Sequence, residues 1–126
     1  MIQQNTILKV SDNSGAKTVR CIQVLGGFKK KIAKIGDIIV VSIQQLRNRN
    51  KSTLKVKKKE VYHALIIHTK VGLTKKTGFK DYFFENSVIL INKQGNPVGT
   101  RIIGPIPRVL KKKKLQKILS IASATI

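Results

Sequence analysis

The feature that constrains this chain most is the brevity of its apolar runs. Residues 38–41, 64–67 and 88–91 are each four apolar residues in a row, mostly β-branched, and no run is longer. Turn formers punctuate them: SDNSG at 11–15, GG at 26–27, TKKTGF at 74–79 and NKQGNP at 92–97. Short β-branched stretches bounded by such clusters read as strands. Here they recur about every dozen residues, a spacing that suits a small closed or partly open β-barrel. A membrane-spanning helix needs roughly 20 apolar residues, so no such span is expected. The chain has 126 residues, 41% of them apolar, which supports one domain around one core. We expect a barrel over about residues 1–104 and a helical segment over about 105–126.

The patterning adds detail. Within residues 17–25, Val19 and Cys21 are in one phase of alternation and Ile22 and Val24 in the other, which predicts a bulge or bend. Residues 44–53 are polar and basic, a loop or hairpin tip, and residues 54–59 alternate weakly. A second hairpin is expected to turn at residues 74–79, with Gly78 taking a positive φ. Residues 100–103 form the last extended piece. Beyond it, Pro107 suits a first helical turn, and Leu115, Ile118, Leu119 and Ala122 follow the helical i, i+3, i+4, i+7 spacing. One or two short helices should therefore pack on the barrel.

Catalytic and metal-binding constellations are not legible. His63 and His68 lie five apart on one expected strand, an odd separation that assigns them to opposite faces. The single cysteine, Cys21, forms no internal disulfide and sits in an apolar strand, where an inert thiol is expected. Asp12 and Asp37 flank turns, where they serve as side-chain-to-backbone acceptors. No phosphate-cradling glycine motif occurs. We expect no enzyme, no cofactor and no metal. The Asn50-Lys51-Ser52 sequon reads as chance. The MIQQNT start carries neither a secretory nor a transit pattern, so function is expected where the chain is made.

Charge is the functional signal. Lys and Arg number 26 against five acidic residues, a formal charge of +21. A chain so unbalanced repels itself unless an anion surrounds it. The cations cluster on expected turns, hairpin tips and the polar helix face: Lys29, Lys30, Lys31 and Lys34; Arg47, Arg49 and Lys51; Lys55 and 57–59; Lys75, Lys76 and Lys80; and Arg101, Arg108, 111–114 and Lys117. One such cluster would be an ordinary solvated face. Five of them with almost no acid to balance them indicate phosphate contact, strong and salt-sensitive. Aromatics are only 5% of the chain, and Phe79, Tyr82, Phe83 and Phe84 are the one group. Base stacking and core packing at the foot of a hairpin are both open to them, with packing the reading we favour. The expected partner is accordingly folded RNA read by shape and backbone. Residues 111–126 would also make a basic amphipathic helix on an anionic bilayer, but their apolar stripe is short and the barrel needs a lid, so no membrane partner is expected.

Several segments together carry a resemblance. VSDNSGAK at 10–17, CIQVLGG at 21–27, IGDIIVV at 35–41, residues 78–83 with Asn86, ILIN at 89–92, GNPVGTRIIGP at 95–105 and KILSIA at 117–122 closely resemble the bacterial-type L-fourteen family of large-subunit ribosomal proteins, colinearly along essentially the whole chain. The resemblance implies a five-stranded barrel with a projecting β-hairpin and short C-terminal helices. It implies a structural constituent of the large ribosomal subunit that binds large-subunit rRNA and touches neighbouring ribosomal proteins. It also implies an intersubunit bridge to small-subunit rRNA, on a face where a ribosome silencing factor docks in bacteria and organelles. Thr100, Arg101 and Lys117 match that face by position. The residues expected on rRNA are Lys17, Arg20, Lys29, Lys30, Lys31, Arg47, Arg49, Lys51, Lys75, Lys76, Arg108, Lys111 and Lys112. The chain departs from the family pattern in a longer 44–60 segment, in Thr77 where Asp or Asn is usual, and in Val109 where an acid is usual. Lys outnumbers Arg 21 to 5, and Ile reaches 18 against five Ala, the mark of an AT-rich genome. A mitochondrial ribosome with an organelle-made protein is the expected setting, with a plastid or a bacterial cytoplasm as the alternatives. The rival from another class is a free nucleic-acid chaperone on a similar barrel.

Overall fold

A computed structural model describes residues 1–47, 54–112 and 115–126. Arg49, Lys51 and most of the long polar loop lie outside the described residues, as do the sequon and Lys113 and Lys114. Five strands, β1 (Ile7–Val10), β2 (Ala16–Val24), β3 (Ile38–Leu46), β4 (Val61–His68) and β7 (Ser87–Ile91), close into a barrel in the order β1-β2-β3-β4-β7. The barrel's ladders are antiparallel except β1 against β7, which is parallel and closes the ring.

Register shows why this sequence closes. Partners across a ladder share a face, and the inward set is consistent all the way round. Leu8 faces Val19, Val19 faces Ile43, Cys21 faces Val41, Val24 faces Ile39, Ile39 faces Ala64, Ala64 faces Leu90, and Val88 faces both Ile66 and Val10. All of these are buried. The predicted phase switch in β2 is real. The ladder slips between Cys21 and Gln23, so Cys21 and Val24 both point inward although an odd number of positions separates them. Ile22 is left on the outside, 39% exposed.

β7 is buried on both faces, as a strand must be when something covers the barrel's outside. Leu65, Ile89 and Ile91 point outward by register yet are buried, and Ile102, Ile106, Leu110 and Ile118 complete the same apolar cluster. The cover is the C-terminal segment, which differs from expectation in two respects. The last extended piece does not stop at Ile103 but continues as β8 (Ile102–Ile106). After α1 (Val109–Lys112) and α2 (Gln116–Ser120) the chain returns as β9 (Ala122–Thr125), parallel to β8. Ala122, counted in the helical stripe from its spacing, is therefore a strand residue, paired with Ile102. The helix spacing continues one step past a helix that α2 ends at Ser120, and the tertiary partner decides. β8 is fixed to the barrel where Ile103 N–H donates to Ser11 O (2.7 Å) and His68 Nε2 donates to Pro105 O (2.6 Å).

The other hairpin projects as expected. β5 (Leu73–Thr74) pairs with β6 (Lys80–Asp81), and Gly78 has φ +88° in the turn between them. Residues 54–60 form no strand, but Val56 is buried and Lys59 N–H donates to Ile43 O at 2.9 Å. Among the described residues no helix is long and apolar enough to cross a membrane.

Candidate nucleic-acid interface

The strands carry cations only where alternation turns a side chain outward. Lys17 and Arg20 are exposed on β2 between buried Ala16, Val19 and Cys21. The loop after β2 does more. Gly26 (φ +97°) and Lys29 (φ +52°) take left-handed conformations that fold residues 26–30 into a tight outward turn. Lys29 sits 5.5 Å over the ring of the exposed Phe28, and Lys31 and Lys34 are exposed. Lys30 instead turns back, with its ammonium 2.9 Å from Asp37 Oδ2. That carboxylate also accepts the Lys34 amide at 2.8 Å, so Lys30 closes its own loop.

Two other cations expected on RNA are likewise tied within the fold. Lys75 pairs with Asp81 across the hairpin at 3.0 Å. The Arg47 guanidinium donates to Val10 O, and the Arg47 amide donates to Gly15 O at 2.8 Å. Lys76 is exposed beside the turn, and Arg108 and Lys111 are exposed at the start of the C-terminal segment. Lys112 closes α1.

Thr100 and Arg101 end one loop, residues 92–101, and the structure brings Lys117 of α2 to the same loop. Asn92 Oδ1 folds that loop by accepting the amides of Gln94 (3.1 Å) and Asn96 (2.8 Å). Asn96 Oδ1 accepts the Lys117 ammonium at 2.9 Å. At the other end Asn13 holds the backbone. Its Oδ1 accepts the amides of Thr100 (2.7 Å) and Arg101 (3.2 Å), and its Nδ2 donates to Thr100 Oγ1 at 2.7 Å. Gly99 fits because it lacks a Cβ, which would lie 2.8 Å from Asn13 Oδ1 and 3.0 Å from Asp12 Cβ. Asp12 is buried beneath. Its Oδ1 accepts both the amide (3.0 Å) and the hydroxyl of Ser14, and its Oδ2 accepts the Leu90 amide at 3.0 Å. Sequence reasoning found Asp12 as a turn residue but missed Asn13 and Asn96. Their partners are remote in sequence, so no local pattern marks them.

The hairpin corrects the aromatic reading. Only Phe83 packs inward, stacked on His68 with centroids 4.3 Å apart. Phe79, Tyr82 and Phe84 are 75%, 66% and 98% exposed. His63 and His68 also differ from expectation. They pair with Ile91 and Ser87, which share a face of β7, because the ladder slips between Ile66 and His68. The slip cancels the odd separation and puts both imidazoles on the outer face. No cluster of potential metal ligands exists among the described residues. Burial pushes the Cys21 thiol above its usual range, which keeps it protonated and unreactive at neutral pH.

All five carboxylates are engaged inside the fold. Asp37, Asp81 and Glu85 take Lys30, Lys75 and Lys9, and Asp12 and Glu60 accept backbone amides. The surplus of cations is left on loops and strand exteriors, so the molecule is a small closed barrel of the basic, polyanion-binding class. The match to a family extends over the whole chain: residues 1–126 fit the model of Ribosomal protein L14p/L23e, and the chain belongs to that family. It is a structural constituent of the large ribosomal subunit that binds rRNA and other ribosomal proteins.

Proposed function

We propose that the chain acts as a single rRNA-binding domain over residues 1–126 and as one side of an intersubunit bridge. The exposed cations Lys17, Arg20, Lys29, Lys31, Lys76, Arg108 and Lys111 neutralise phosphates and let rRNA segments pack against the barrel. Arg49, Lys51 and Lys112 are assigned the same role from the sequence. The rigid loop carrying Thr100 and Arg101, with Lys117 bonded to it, faces the small subunit, and a silencing factor would compete for that face. The ribosome is mitochondrial on this reading, as the Lys- and Ile-rich composition of an AT-rich genome suggests; plastid and bacterial ribosomes are the alternatives. The observation that carries the proposal is the internal use of all five Asp and Glu side chains, which leaves the chain's surplus of cations to be balanced by an external anion.

Sedimentation of the tagged protein from its own cell extract tests the assignment. It should stay with the large subunit through a high-salt wash. Movement to the top of the gradient as salt rises would favour the looser chaperone. Arg101→Glu with Lys117→Glu should leave the protein on the large subunit and lower the yield of joined ribosomes. Unchanged joining would remove the bridge from the proposal.

A further inference from the structure

The hairpin presents a surface that phosphate neutralisation does not account for. Alternating exposure from Lys80 to Phe84, through β6 and the residues after it, separates two roles. Asp81 and Phe83 point back into the molecule, one paired with Lys75 and the other stacked on His68. Lys80, Tyr82 and Phe84 share the opposite phase and are exposed, and Phe79 stands exposed next to the turn. The Tyr82 ring lies close over Gly72, where a Cβ would lie 3.0 Å from Tyr82 Cδ1 and 3.2 Å from Cε1. Such large rings left in water at the foot of a hairpin, which the stack of Phe83 on His68 anchors, mark a binding surface.

Charge decides the kind of occupant. Lys70, Lys76 and Lys80 are exposed in this region. Its two acids, Asp81 and Glu85, are already paired with Lys75 and Lys9. Among the described residues the rings therefore stand in a setting with an excess of cations, which a neutral apolar partner would have to desolvate and which a polyanion would neutralise. Aromatic faces interleaved with lysines fit one ligand in particular, bases that are unstacked from a helix and still joined to their phosphates. The Phe28 ring differs, because Lys29 already covers a face of it.

We propose that Tyr82 and Phe84 form a stacking platform for unpaired rRNA nucleotides, with Lys76 and Lys80 on the adjoining phosphates. The proposal rests on the rRNA-binding assignment and adds to it a site that takes single strands, where the rest of the surface takes folded RNA by its backbone. The full chain is tested against a short oligouridylate and a blunt RNA duplex of equal length at the same salt. Tyr82→Ala and Phe84→Ala should each weaken oligouridylate binding at least about fivefold and leave duplex binding unchanged. The chain has no Trp and two Tyr, so in a Tyr62→Phe background the emission reports Tyr82 alone, and oligouridylate should quench it while the duplex does not. Wild-type affinity in the double alanine variant overturns the platform. So does full recovery with Tyr82→Leu and Phe84→Leu, which would show that apolar area suffices and assign the surface to a neighbouring protein. If the wild-type chain binds neither RNA, rRNA binding itself fails. If it binds both and the ring variants change nothing, only the platform fails.

Discussion

Asp12 is one of five acids in a chain of charge +21, yet its task is structural. It is buried, and its two oxygens take three donors, from Ser14 twice and from Leu90. The first pair folds the turn after β1. The last fastens that turn to β7, which is far away in sequence. An anion accepting several hydrogen bonds is held strongly, and losing it leaves buried donors without acceptors. Asp12→Ala should cost about 2–4 kcal/mol in urea unfolding. Asp12→Asn, which offers one acceptor and misplaces an NH2 group, should fall between that variant and the wild type. If Asp12→Asn is as stable as wild type, the carboxylate is not the fastening.

Loop 92–101 shows how elements are joined at positions that propensity does not mark. Asn13 lies between two buried side chains of one turn and holds two amides of another. Asn13→Ala should free Thr100 and Arg101 and cost about 1–2 kcal/mol. Gly99→Ala should do similar damage from the other side, because its Cβ would push on the Asn13 oxygen. Hydrogen exchange at the Thr100 and Arg101 amides is the readout. Both variants should speed exchange there and leave the Leu65 amide, deep in β4, protected. Equal protection in wild type and variants would show that the ladder around Ile102 holds the loop unaided. Strands β3, β4 and β7 were legible because each holds a short apolar run with turn formers near it, and the β2 bulge showed as a change of phase. β9 was hidden because ASAT has little strand character, and its pairing to β8 is a tertiary fact. The slip in β4 was hidden for another reason: residues 64–67 are apolar without alternation, so no phase existed to break. Similarly, charge located the cationic loops, but nothing in the sequence distinguishes Lys30, paired with Asp37, from Lys31 beside it.

Taken over the whole protein, the same charge works in two opposite directions, and salt separates them. In the free chain the uncompensated cations repel one another, so added salt should raise the melting temperature. In the complex those cations displace counterions from phosphate, so added salt should lower affinity, log K falling linearly with log salt. The slope counts the lysines that reach phosphate. Lys31→Gln and Lys76→Gln should each reduce it by about 1 when bulk large-subunit rRNA is titrated. Lys30→Gln and Lys75→Gln should leave the slope unchanged and cost about 1 kcal/mol or less of stability, since their partners Asp37 and Asp81 are partly buried. A slope lowered as much by Lys30→Gln as by Lys31→Gln would mean that Lys30 leaves Asp37 when RNA arrives. The loop would then reorganise on binding, exposing a carboxylate to phosphate at an energetic cost. Rigid presentation avoids that cost, because each acid keeps the partner it already has inside the fold.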